Sequence, residues 1–234
     1  GGYERAAFLE PLPMPGAAAA IRAPWRMALS YLRQTFGEGY RDLDIAFLSH
    51  VDPHQAEIID RMAIQGINAP RTSSMGRLFD GVAALIGLRH TVAFEGQAAM
   101  ELEMCAAAGE EGHYEVAWQD AAPIVIPTAP IIAGVVADLQ QGRAPSRISR
   151  RFHTTLVRLF TALCGHLRHR TGLDRVVLSG GVFQNALLLQ ELSHALASAG
   201  FSVYNQRLVP PNDGGIALGQ AVVAGTLVAD GAAG

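Results

Sequence analysis

Two glycine turns and one helix-borne carboxylate hold the residues whose types and spacing could do chemistry. Ser179-Gly180-Gly181 follows the β-forming run Val176-Val177-Leu178, and Leu187, Leu188, Leu189, Leu192 and Leu196 then recur at helical spacing. The pattern predicts a strand, a tight turn and a helix. Such a geometry can hold phosphate, because glycine removes the Cβ from the approach and a helix start offers N–H groups and a positive dipole end. A bare strand-to-helix turn that binds nothing uses the same residues. The second turn, Pro210-Pro211-Asn212-Asp213-Gly214-Gly215, follows the strand-like Phe201-Ser202-Val203-Tyr204 and opens a helix of small residues. In an open α/β sheet, two such turns at the carboxyl ends of successive strands line one crevice. Asp213 there suits a metal ion or a ligand hydroxyl, or it caps the helix behind it. Asp80 stands at the margin of an apolar stripe, two residues after Leu78 and two before Val82. It could accept bonds from a ribose diol, lie exposed, or pair with Arg77.

The elements that must position these residues can be taken along the chain. Arg5 to Leu9 reads as a short strand, and Pro11 to Gly16 as an extended linker. Pro24 suits a first helical position, with Trp25, Ala28, Leu29 and Leu32 continuing to Gly37. A second helix follows Asp52-Pro53 and ends at Gly66. Hydroxyl caps at Thr72 to Ser74 precede the stripe Leu78, Phe79, Val82, Leu85 and Ile86, closed by Gly87. Phe94-Glu95-Gly96-Gln97 then turns into a small-residue helix from Ala98 to Met104. Strands are expected at Tyr114 to Trp118 and Ile124 to Ile126, a helix from Pro130 to Gln141, and an amphipathic helix carrying Phe152, Leu156, Leu159, Phe160, Leu163 and Leu167. The Ala/Gly-rich end after Gly225 is expected to fray.

Composition narrows the function classes. The chain has 234 residues, half of them hydrophobic, and a formal charge of −3, enough for one large domain or two small lobes. All 18 basic residues are arginine and none clusters beyond Arg147 to Arg151, so no nucleic-acid surface is indicated. No apolar run is long enough to cross a membrane. Cys105 and Cys164 are too few for a disulfide framework or a Cys-rich metal site, and a reducing cytoplasm is the expected setting. His50 and His54 have metal-ligand spacing, but Pro53 between them places a helix start there and argues against ligation. His166 and His169, flanked by Arg168 and Arg170, fit a solvated helix end, and His153 could face the crevice.

Four ordered motifs together carry a resemblance: Leu178 to Asn185, Pro211 to Gln220, Thr72 to Asp80, and Phe94 to Ala99. They resemble the HypF carbamoyltransferases, which mature nickel-iron hydrogenases, and the likeness extends from near the first residue to about Ala224. It implies an α/β fold: an actin-like ATPase, ribonuclease H-like lobe with a mixed sheet flanked by helices and a helical insertion near the N-terminus. The expected divisions are 1–23 as linker and first strand, 24–69 as the helical insertion, 70–226 as the nucleotide-binding second lobe, and 227–234 as a flexible tail.

The resemblance also implies a site. Asp213 would be the aspartate ligand of an iron or zinc ion that grips nucleotide phosphates; Ser179, Gly180, Gly181, Asn185 and Asn212 would meet the sugar and phosphates; Asp80 and Gly96 would lie along the adenosine. The family's other metal ligands are histidines of a preceding lobe, and no matching segment stands here. The chain is therefore expected to be a piece of a longer protein and incomplete as a catalyst. For the whole protein the resemblance implies that carbamoyl phosphate and ATP give carbamoyl-adenylate, whose carbamoyl group passes to the C-terminal cysteine of a HypE acceptor on the way to the cyanide ligand. No residue here is an evident catalytic nucleophile, so the thiol would come from the partner. Two alternatives remain: an O-carbamoyltransferase acting on a small-molecule hydroxyl, and a docking lobe that binds no nucleotide and presents residues 24–66.

Overall fold

The computed structural model describes residues 3–110 and 112–232. It is a mixed α/β chain, as expected, and it divides into two compact units: Ala7 to Leu159, and Phe160 onward together with the segment before Ala7. Its sheets are small, three pairs of strands among the described residues.

The larger unit is built around α2 (Trp25–Phe36). Six consecutive residues, Met27 to Leu32, are buried on it. A helix buried all round needs neighbours on every side, and α2 packs against α4 (Pro53–Gln65), α5 (Met75–Leu85) and α7 (Ala129–Gln140). Residues 24–69 pack within the same compact unit as residues 70–159. The caps explain the helix limits. Asp52 accepts the Gln55 N–H at 2.8 Å with Pro53 at the first helical position, and Gly66 ends α4 in the left-handed conformation. Ser74 Oγ accepts the Arg77 N–H at the start of α5. In this unit β1 (Ala7–Leu9) pairs in parallel with β4 (Ile124–Ile126). The expected linker contains β2 (Leu12–Pro13), antiparallel to β3 (Arg71–Thr72).

Tyr114 to Trp118 is not a strand. No β-ladder forms there among the described residues, and side chains of two helices hold Tyr114 instead. The Tyr114 N–H donates to Thr155 Oγ1 on α8 (Pro145–Thr171) at 2.8 Å, and its hydroxyl donates to Asp138 Oδ2 on α7 at 2.8 Å.

The smaller unit is a βαβ piece. β5 (Arg175–Leu178) and β6 (Ser202–Asn205) are parallel, with Val176 opposite Val203 and Leu178 opposite Asn205. Between them α9 (Ala186–Ser198) buries Leu188, Leu192 and Leu196, four residues apart on one face. The last helix, α10 (Ile216–Ala232), runs through positions 227–232 expected to be tail, because alanine and leucine favour helix despite the glycines. The rest of that expected tail, 233 and 234, lies outside the described residues. Leu218, Val222, Val223 and Leu227 of α10 are all more than half exposed, so it adds little to the core. The remaining helices, α1 (Ala18–Arg22), α3 (Ala46–Ser49) and α6 (Gln97–Met104), belong to the larger unit. No described helix is long and apolar enough to cross a membrane.

Candidate functional site

In the smaller unit the two glycine turns meet. β5 delivers the chain to Ser179, and Gly180 follows at φ +110°, a conformation that side-chain-bearing residues rarely adopt. That turn lets the Gly180 N–H donate to the Pro211 carbonyl at 2.8 Å. Gln206, just past β6, donates from Nε2 to Ser179 Oγ at 2.6 Å. A Cβ built on Gly181 would lie 3.8 Å from the Asn212 Cβ, ordinary contact distance. Ser179, Gly180, Gly181, Asn212 and Asp213 are thus one neighbourhood, assembled by backbone as much as by side chains.

Two details differ from the sequence expectation. The Ser-Gly-Gly turn does not open directly into a helix: residues Gly181–Gln184 form a 3-10 turn first, and Asn185 starts α9. Asn185 is buried, and its Oδ1 accepts the Leu188 N–H at 2.7 Å, a favourable N-cap arrangement. In the second turn the cap is Asn212, whose Oδ1 accepts the Gly214 N–H at 3.1 Å while its carbonyl accepts the Gly215 N–H at 2.9 Å. Asp213 is consequently not the cap. Its carboxylate is exposed and makes no ion pair or hydrogen bond among the described residues.

Gly215 fixes the second turn by close approach. A Cβ there would come 2.8 Å from the Pro210 carbonyl oxygen, a backbone atom that cannot rotate away. Gly215→Ala is expected to displace the Asn212-Asp213 turn and to destabilise the chain by about 1–3 kcal/mol, as overpacking does. Thermal unfolding at one scan rate would read the loss, and an unchanged midpoint would show that the turn has room.

Asp80 and Gly96 belong to the larger unit. Asp80 is 3% exposed on α5, and Arg77 Nη1 stands 2.9 Å from its Oδ2, so it pairs with Arg77 and does not lie exposed. Burial pushes the Asp80 carboxyl up to about 6; Arg77 opposes the rise and the negative charge of Glu95 adds to it. Gly96, at φ +83°, precedes α6 directly after Glu95. Gln97 holds this loop, accepting the Ala93 N–H at Oε1 (2.8 Å) and donating to Glu101 (3.1 Å), which Arg89 grips at 2.7 and 2.9 Å. Glu95 and Gln97 were not singled out as site residues in the sequence. Nothing in their spacing distinguishes them from ordinary loop polar residues.

The other candidates have local roles. His50 Nδ1 lies 2.8 Å from the Ala46 carbonyl at the end of α3 and its ring 5.6 Å from that of His90; His54 is exposed on α4. His153 is fully buried, its Nδ1 2.8 Å from the Ser149 carbonyl and its ring edge-on to Phe79 and Phe152. Burial raises the thiols of Cys105 and Cys164 above their ordinary range, the opposite of an activated nucleophile. Among the described residues no group of three His, Cys, Asp or Glu side chains could hold a metal ion. An exposed, unpaired carboxylate at Asp213 fits one position of a metal's coordination sphere and leaves the others to residues elsewhere.

Comparison with known proteins matches residues 1–220 to the family described as "Carbamoyltransferase, Kae1-like Domain, second subdomain". The chain is 37% identical to carbamoyltransferase HypF2 of Cupriavidus necator, over 96% of this chain and 30% of that protein. It is 33% identical to carbamoyltransferase HypF of a Synechocystis species, over 94% of this chain and 30% of that protein. Among solved structures, full-length HypF in a phosphate- and nucleotide-bound form superposes with a TM-score of 0.89 at 41% identity, covering 97% of this chain and 29% of that one. T. kodakarensis HypF gives 0.84 at 25% identity, covering 97% and 30%. The chain thus spans under a third of the length of these relatives.

Proposed function

We propose, from the premise that this chain belongs to the HypF carbamoyltransferase family as the second subdomain of its Kae1-like domain, that it holds ATP-derived carbamoyl-adenylate while the carbamoyl group is transferred. The observation that carries the proposal is the hydrogen bond from Gly180 N–H to the Pro211 carbonyl, which sets the Ser179-Gly180-Gly181 turn beside Asn212 and the unpaired Asp213. Backbone stripped of Cβ atoms next to a free carboxylate suits a phosphate chain with its counter-ion.

The roles follow from the chemistry of each group. The Ser179–Gly181 turn and Asn212 receive the phosphate oxygens, Asn185 shapes the start of α9 beside them, and Asp80 with Gly96 serves the adenosine. Asp213 supplies one carboxylate ligand to a divalent ion, iron or zinc, whose other ligands are histidines of another lobe. When bound, that ion neutralises charge on the nucleotide phosphates as a Lewis acid. The acceptor is the C-terminal cysteine of a HypE partner: its thiolate forms a C–S bond to the carbamoyl carbon, the C–O bond to phosphate breaks, and AMP departs with the electron pair. The raised thiols of Cys105 and Cys164 support an acceptor thiol that comes from outside this chain. The product serves cyanide-ligand synthesis during hydrogenase maturation, and the setting is the cytoplasm.

Calorimetric titration with AMP and ATP, with and without Zn²⁺ or Fe²⁺, tests the proposal on wild type and Gly181→Asp. Gly181 has a backbone conformation open to side chains and nothing closer than 3.8 Å to a new Cβ. The variant should therefore fold while placing a negative charge where phosphate is expected. Affinity should fall at least about tenfold, the order expected when like charges oppose binding. An unchanged affinity would remove the phosphate role from this turn.

A further inference from the structure

Arg77 and Asp80 lie one turn apart on α5, and both are enclosed, at 9% and 3% exposure. Their contact is unusual. Nη1 and Oδ2 are 2.9 Å apart, yet both atoms are sealed from solvent and the alignment of a hydrogen bond is missing. The guanidinium has no other hydrogen-bond or ion-pair partner among the described residues. Of the two Asp80 oxygens only Oδ2 is both sealed and without a hydrogen bond. A buried charged pair held by attraction, with its hydrogen-bonding capacity unspent, contributes little to stability and calls for another explanation.

We propose that Arg77 is a positioning residue that acts on the ligand through Asp80: by drawing Oδ2 inward it keeps the carboxylate charged and leaves Oδ1 to accept from a ligand hydroxyl, an assignment that rests on the adenosine reading above. The ligand class is a nucleotide sugar with a free diol, each hydroxyl a donor that needs an anionic acceptor. Arginine suits the task because its charge persists when buried, whereas a buried lysine readily loses its proton.

The surroundings set the pH behaviour. Glu95, from the loop before α6, and Arg77 are the two charges that act on Asp80. Tyr31 on α2 is fully buried beside them, its hydroxyl raised first by burial and then by Asp80's charge, so it stays neutral. α8 brings His153 against Phe79, the residue before Asp80. With burial raising the carboxyl from 3.8 to about 6, the acceptor is lost as pH falls through about 6. The sign for stability is the reverse of the usual carboxylate. Between about pH 4 and 6 the folded chain binds a proton that the unfolded chain has released, so Asp80 by itself lowers stability as pH rises through that window.

The experiment is a carboxyl-detected NMR titration of Asp80 beside AMP calorimetry at acidic, neutral and alkaline pH, on wild type, Arg77→Gln, Arg77→Lys and Asp80→Asn. Arg77→Gln should move the Asp80 midpoint upward by about one to three pH units, the range for loss of an adjacent opposite charge. AMP affinity at pH 7 should fall about tenfold, recover at alkaline pH, and be partly restored by Arg77→Lys, while Asp80→Asn stays weak throughout. If glutamine does not fold, Arg77→Met serves the same comparison. An unmoved midpoint overturns the inference, as does an AMP affinity and pH profile identical to wild type. A midpoint that moves in a chain to which AMP never binds overturns the adenosine reading instead, and with it the ligand role of Arg77.

Discussion

Replacing Asp138 by asparagine should cost the fold about 3 kcal/mol, near the lower end for a buried charge pair broken by loss of one partner. Asp138 is 3% exposed on α7. Its two oxygens accept from the Tyr114 hydroxyl at 2.8 Å, from Arg143 Nε at 2.9 Å, and from Arg151 Nη1 at 2.6 and 2.8 Å. Every neighbour is a donor, so an asparagine amide would turn two further N–H donors toward them with a single oxygen left to accept. The arginines keep 27% and 21% side-chain exposure, and Glu110 lies 3.9 Å from Arg151, which limits the cost. Against a typical total of about 5–15 kcal/mol, such a loss is a large fraction of stability. Tyr114→Phe removes one donor and leaves the charges paired, so about 1 kcal/mol is expected there. Urea unfolding of the two variants gives the comparison. Equal midpoints would mean that losing the Asp138 charge costs no more than losing the Tyr114 hydroxyl's bond, and would overturn the weight placed on the ion pairs.

The same cluster shows where a sequence stops being informative. Tyr114, Val116 and Trp118 alternate with Glu115 and Ala117 in the manner of a strand, and Tyr114 is buried. A strand also needs a neighbour with free backbone groups, and here Thr155 and Asp138, 41 and 24 residues away, supply the partners from helices. Long-range side-chain capture leaves no local periodicity. The helix limits at Asp52-Pro53, Gly66 and Ser74 were legible because a cap is a local bond between residues three or four apart. Gly180 and Gly215 were legible as turn residues for the same reason, but which of Asn212 and Asp213 would cap was not, since both side chains can accept the same N–H. Asp80 marks a further limit. Its position at the edge of the α5 stripe was readable, while its electrostatic neighbours Tyr31 and Glu95 come from other elements and were not. Helix α2 was readable from its apolar positions, but that α4, α5 and α7 pack against it was not, because those contacts are long-range.

Asp213→Ala is expected to separate binding from folding more cleanly than any other change in this chain. The side chain is exposed, pairs with nothing among the described residues, and does not cap the 3-10 turn Asp213–Gly215 before α10, because Asn212 performs that task. Thermal stability should therefore stay within experimental error of wild type. Asn212→Ala is the informative contrast, since loss of its bond to the Gly214 N–H should lower stability by about 1 kcal/mol, the usual cost of a lost cap. A hard carboxylate oxygen placed beside phosphate-receiving backbone has one evident use, which is to help hold a cation against the phosphates. On the proposed role, Zn²⁺ or Fe²⁺ should strengthen nucleotide binding to wild type, and Asp213→Ala should abolish that strengthening while leaving the metal-free affinity unchanged or slightly higher. Removing a negative charge near phosphate can only help the metal-free complex, so the two affinities are expected to converge. A metal effect that survives in Asp213→Ala would mean that the ion is held elsewhere. A stability loss comparable to that of Asn212→Ala would instead make Asp213 a structural residue of the turn.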